Sequence, residues 1–338
     1  MADHWIGKRM NHPVLSALLP VVLLITIGFL AGKRQWVSAG SVKDLSNLVF
    51  LILIPALLFR TMGAVHLDKL DLKPVGVYFL TVGIIFTAVL LWQGLSRRST
   101  VVALASIFSN TIMIGVPLVG LAYGEAALVY LFTLISLHAL VLLTLATVVL
   151  EFAVMREKTQ GATTEAGQLD PTLITQADSA TSVVKNVAMA MRNAIIHPVP
   201  LPIIAGLLFA QTGWAIPAVI DRPLQFLGSA FGPLALILAG VTLAHTKVGA
   251  HIKGAFAIVV VKNVVHPALM AALGWALGLS GMPLAVMVVA ASLPVGANVF
   301  LFSQRYHVAE ELITASVAIT TAVALLSVSL VMAWLGPV

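Results

Sequence analysis

Lys262 stands in the apolar run VVVKNVVHPALM, with Asn263 beside it and His266 one turn along the same helical face. His138 sits in the middle of another apolar run, LISLHALVL. Two further runs combine polar and helix-breaking residues: Asn110, Thr111, Gly115 and Pro117 in NTIMIGVPLVGLAYG, and Pro294, Gly296 and Asn298 in LPVGANVFLFSQRY. These groups are a cation, hydrogen-bond donors and backbone breakers, and none is a carboxylate. All thirteen Asp and Glu lie in loops or at the ends of apolar runs, with Asp44 and Glu151 the deepest. Such a set suits an anion better than a cation. It does not suit hydrolysis. There is no HExxH and no Asp pair within the runs, and GLSG at 278–281 is a four-letter string in a turn between runs. With no cysteine, thiol catalysis, disulfides and Cys-ligated metal are excluded. No enzyme, metal site or cofactor is expected.

The elements that must position these residues follow from composition. Of 338 residues, 60% are hydrophobic and 9% charged, with mean hydropathy +1.04. A soluble domain carries about a quarter charged residues, so this is a polytopic helical membrane protein. Ten candidate spans lie at about 13–31, 43–63, 74–93, 100–121, 126–152, 194–212, 222–245, 252–278, 282–304 and 309–335. A polar stretch, 155–192, separates a first five-helix repeat (1–154) from a second (193–338). Its middle, GATTEAGQLDP, reads as a flexible linker, and Ser182 to Asn193 as an amphipathic helix.

Net charge +6 and a pI near 9.7 reflect basic loops facing an anionic inner leaflet, not nucleic acid. With the N-terminus outside, the inner loops hold Lys33, Arg34, Lys43, Arg97, Arg98, Arg156, Lys158, Lys185, Arg192, Lys247, Lys253 and Arg305. The outer side holds Lys8, Arg9, Arg60, Lys69, Lys73 and Arg222, leaving Lys262 inside span eight. The positive-inside rule then puts both termini outside and the long loop in the cytoplasm. Arg60, at the end of span two, reads as an outer-surface anchor rather than a substrate clamp, and Arg305, closing span nine at the cytoplasmic face, as an anchor.

The two halves echo one another. His12-Pro13 recurs as His197-Pro198, Tyr123 as Tyr306 and, more loosely, Pro55 as Pro233. Five spans per repeat is odd, so the second copy enters the membrane upside down, as in many secondary transporters. Pro, Gly and Asn interrupt spans four and nine, and both helices are expected to break at membrane depth. Freed backbone groups are tolerable there only where they line a cavity or meet a ligand, and half-helix N-termini favour an anion. An ammonium in hydrocarbon costs at least about 2.5–3.5 kcal/mol, so Lys262 should face a polar interior rather than snorkel. Its partners would be carbonyls, Asn side chains or a bound anion. Alternatively, it tethers the unwound crossover as a coupling cation would. His138 reads either as a packing residue or as a ligand.

The stretches Asn110 to Gly124 and Leu293 to Tyr306 resemble the paired crossovers of the auxin efflux carrier family. Pro55 in FLILIPALLF, Gly232-Pro233-Leu234-Ala235 with Leu238-Ala239-Gly240, and Lys262 match as well, and the short central loop resembles bacterial members. The resemblance implies a dimeric ten-helix carrier of a small carboxylate such as malonate, in a bacterial inner membrane. Spans one, two, six and seven would be the scaffold, and three to five and eight to ten a moving unit in an elevator cycle. It also implies that Asn110 contacts the substrate carboxylate, and it places His138 where those carriers have a glutamine. Two features depart from the plant pattern: Ala297-Asn298-Val299 replaces a second proline, and span three (VGVYFLTVGIIF) lacks a carboxylate. The substrate-binding set is thus Asn110, Thr111, Gly115, Pro117, His138, Pro294, Gly296 and Asn298, with Lys262, Asn263 and His266 compensating charge and H+ or Na+ as coupling ion. A cation/proton antiporter would want an acid at the crossing. A channel or sensor is the reading from another class.

Overall fold

In hydrocarbon every backbone N–H and C=O must find a partner within the protein, which leaves helices as the building unit for so apolar a chain. The computed structural model describes residues 13–65, 71–165, 200–246 and 252–336, and among them it is helical with no strand. The helices are α1 (Pro13–Lys33), α2 (Ala39–Met62), α3 (Lys73–Gln93), α4 (Arg97–Ile107), α5 (Thr111–Tyr123) and α6 (Glu125–Glu165). After the linker come α7 (Pro200–Ala210), α8 (Ala218–His245), α9 (Lys253–Ala276), α10 (Gly281–Ser292), α11 (Asn298–Arg305) and α12 (Glu310–Leu335). Among the described residues six helices are long and apolar enough to cross a membrane: α2, α3, α6, α8, α9 and α12. Shorter apolar segments lie in α1, α5, α7 and α10. The chain is a multi-pass membrane protein.

Three helices contain one widened turn, and each has the same sequence cause. The turns are Val49–Leu53, Thr111–Gly115 and Val261–Val265. Proline follows each two residues later, as Pro55, Pro117 and Pro267. The residue before each proline donates five back: Ile54 to Val49, Val116 to Thr111 and His266 to Val261. A proline ring clashes with the carbonyl four residues earlier, and the wider turn moves that carbonyl aside. Pro117 therefore widens its helix without breaking it. The break of span four lies upstream, at Phe108–Asn110, between α4 and α5. In span nine the break does contain its proline, Pro294, between α10 and α11.

Close packing depends on missing side chains. Gly28 of α1 lies against the backbone of Ile237 on α8, and Gly240 of α8 against the backbone of Ile25 on α1. Any Cβ at either position would occupy the partner's main chain. Gly206 of α7 meets the Phe59 carbonyl of α2 in the same way. Small residues drive such backbone approach where lipid removes the hydrophobic incentive.

Helix α6 continues to Glu165, eleven residues past the expected end of the first repeat at 154, and takes in the first residues of the linker motif. Met155, Arg156, Glu157 and Lys158 are good helix formers and no proline intervenes before Pro171, so nothing stops the helix at 154. The rest of that linker, Ser182 to Asn193, His12, His197-Pro198 and the basic residues Lys8, Arg9, Lys69, Lys185, Arg192 and Lys247 lie outside the described residues.

Candidate functional site at the helix crossing

Phe108 to Asn110, between α4 and α5, and Leu293 to Gly296, between α10 and α11, leave helical geometry where they meet, and their freed backbones satisfy each other. The Asn110 N–H donates to the Pro294 carbonyl at 2.9 Å, and the Gly296 N–H donates to the Phe108 carbonyl at 2.9 Å. This makes Ser109 and Val295 an antiparallel bridge pair. Gly296 is required by that approach, since a Cβ there would lie 2.8 Å from the Phe108 ring. A Cβ on Gly115 would lie just as close to the Leu293 side chain, at 2.7 Å.

Both second half-helices start at the crossing. Asn110 caps α5, its Oδ1 accepting from the Met113 N–H at 3.2 Å, which leaves the Nδ2 hydrogens as the donors available to a ligand. Helix α11 begins at Asn298. Asn110 and Asn298 are half-buried, whereas Thr111, Gly115, Pro294 and Gly296 are buried. Pro117 sits apart from the crossing, toward Gly232 of α8.

Behind the crossing lies a buried polar cluster. Lys262 is fully buried, which excludes snorkelling. Its Nζ donates to the Ala291 carbonyl at 2.6 Å and to Ser109 Oγ at 2.9 Å, with His266 Nδ1 at 3.4 Å. It thus ties the end of α10 to the unwound stretch before α5. Asn263 donates to Ser327 Oγ at 3.1 Å and to the Ser292 carbonyl at 3.4 Å. Tyr78 of α3 hydrogen-bonds Ser109 Oγ at 3.1 Å, and its ring lies 5.5 Å from His266 and 5.8 Å from His138. His138 packs on Phe108 at 4.7 Å.

Several polar atoms here lack a protein partner: both ring nitrogens of His138, His266 Nε2 and Asn263 Oδ1. The Ser109 backbone lies beside His138 but outside hydrogen-bonding geometry. Each such group costs about 1–3 kcal/mol while unpaired, so the cluster is built to receive something polar. No carboxylate is buried among the described residues, and none of their His, Asp and Glu groups is arranged to hold a metal ion.

Sequence reasoning missed Ser109 and Tyr78, ordinary letters whose role comes from standing opposite Lys262. It also left Arg60 without its partner. Arg60 Nε donates to Asp221 Oδ1 at 2.7 Å and Nη2 to Oδ2 at 3.4 Å, joining α2 to α8. The pair lines a cavity of about 630 Å³ with Glu125 and Trp214, away from the crossing residues. At the other end, the Tyr306 hydroxyl donates to Glu151 Oε1 at 3.0 Å. Burial, then the Glu151 charge, pushes this phenol above its ordinary range, so it remains a donor.

Residues 13–332 match the family model described as membrane transport protein. The chain is 24% identical to "Auxin efflux carrier component 8" of Arabidopsis thaliana, covering 93% of this chain and 95% of that protein. It is 27% identical to the "Putative malonate transporter" of Rhizobium meliloti (strain 1021), over 94% and 93% of the two chains.

Proposed function

The chain belongs to the membrane transport protein family, that of the auxin efflux carriers, and from this premise we propose a secondary carrier of a small carboxylate such as malonate. The observation that carries the substrate class is the crossing itself. Two half-helix N-termini, the free amide hydrogens of Asn110 and a buried cation converge there, and no buried acid opposes them among the described residues. That field favours an anion and disfavours an antiported cation.

The architecture in this reading is ten membrane-spanning helices in two inverted five-helix repeats, with both termini outside a bacterial inner membrane and a homodimeric assembly. Exchange of the repeats turns the α1–α8 pair into the α7–α2 pair, and both pairs pack glycine against backbone, which supports the symmetry. Alternating access follows when α3 to α6 and α9 to α12 slide as one unit along α1, α2, α7 and α8. An apolar seam of Val21 and Ile25 against Ile114, Leu118, Ala324 and Val328 supports that division, since it offers few polar bonds to break.

Proteoliposomes loaded with malonate test the reading. Wild-type protein should exchange internal for external radiolabelled malonate, and Asn110→Ala should lower the rate by about tenfold or more, the loss of one charge-assisted hydrogen bond. Wild-type rates in Asn110→Ala would remove Asn110 from the binding role.

A further inference from the structure

We infer that His138 binds the coupling ion, a proton, and that it becomes protonated when a dicarboxylate occupies the crossing. This rests on the carboxylate reading above. The groups facing the crossing from behind are Tyr78 on α3, His138 on α6, and Lys262 and His266 on α9. From the unwound stretch come the Phe108 ring and Ser109, and from α10 the Ala291 carbonyl. Among the described residues no Asp or Glu is buried with them.

A malonate dianion brings two negative charges to this place and the fixed cation, Lys262, answers one. The second, taken out of water, needs its own counter-charge. Lys262 has no donor to spare, because its three ammonium hydrogens are directed at Ala291, Ser109 and His266. His266 presents Nδ1 to that ammonium as an acceptor, so a proton placed there would face another cation. His138 feels the same Lys262 charge, but no ammonium hydrogen points at its ring: it is buried and both ring nitrogens are unpartnered, so one lone pair is open. A proton moving from bulk water onto that nitrogen supplies the missing charge and a second N–H donor. Sodium fits less well, since it would sit without a carboxylate beside the Lys262 ammonium. The anion and one proton would therefore travel together.

The experiment is calorimetric titration of malonate into the purified full-length protein at pH 7.5, in phosphate and in Tris buffer. The buffer dependence of the heat counts protons exchanged on binding. Wild type is expected to take up about one proton per malonate and His138→Gln about none, while His307→Gln, in an exposed turn, keeps the wild-type count. Malonate binding to wild type with no buffer-dependent heat overturns the inference and leaves the carboxylate reading standing. Uptake of one proton by His138→Gln overturns the assignment to His138. Absence of binding by malonate and by succinate overturns the carboxylate reading, and this inference with it.

Discussion

Lys262 does two jobs, and a single substitution removes them together. Its ammonium clamps the Ala291 carbonyl and the Ser109 hydroxyl across the unwound stretches, and it supplies positive charge one residue from Asn110. Lys262→Met keeps the length of the side chain and removes both. Malonate exchange should fall by about tenfold or more while the protein still elutes as a single folded species on size-exclusion chromatography. Exchange within about twofold of wild type would reduce Lys262 to a replaceable spacer. The residue was legible in sequence because a charge in an apolar run stands out. Ser109 and Tyr78 were not, since a serine and a tyrosine become important only through what the fold puts opposite them. The ion pair of Arg60 was hidden for a related reason: its carboxylate partner, Asp221, is remote in sequence and arrives on another helix.

At the scale of elements, the crossing depends on two strands of backbone approaching more closely than side chains allow. Gly296→Ala places a methyl group 2.8 Å from Phe108 Cδ1 and 3.3 Å from the Ser109 carbonyl. Overpacking of this kind costs about 1–3 kcal/mol, so the variant should melt earlier in a thermal scan and exchange malonate more slowly. Unchanged melting would mean that the two stretches can part without loss. Proline, glycine and asparagine announced both breaks in the sequence, but the position of one was hidden. Pro117 drew attention to itself and acts on the wide turn Thr111–Gly115, whereas Phe108, Ser109 and Asn110 leave the helix without any proline among them. The wide turns have a readable signal in retrospect, because each precedes a proline by the same spacing.

For the whole molecule, the hydropathy pattern located the helices, while the tight contact of α1 with α8 came from particular glycines among twenty-five. No local pattern marks Gly28 and Gly240, whose partners Ile237 and Ile25 belong to the opposite half of the chain. Gly240→Leu should abolish the monodisperse peak in fluorescence-detected size exclusion, because its side chain has only the α1 backbone to enter. A normal peak would show that the two helices separate freely. The bridge at the crossing bears on biogenesis as well. The Asn110 amide is delivered to the bilayer long before the ribosome has made Pro294, and the Phe108 carbonyl likewise precedes Gly296. Until Pro294 and Gly296 arrive, the Asn110 amide and the Phe108 carbonyl of the nascent first half lack these partners. A chain truncated before Pro294 lacks both of those partners and should be a substrate for membrane quality control.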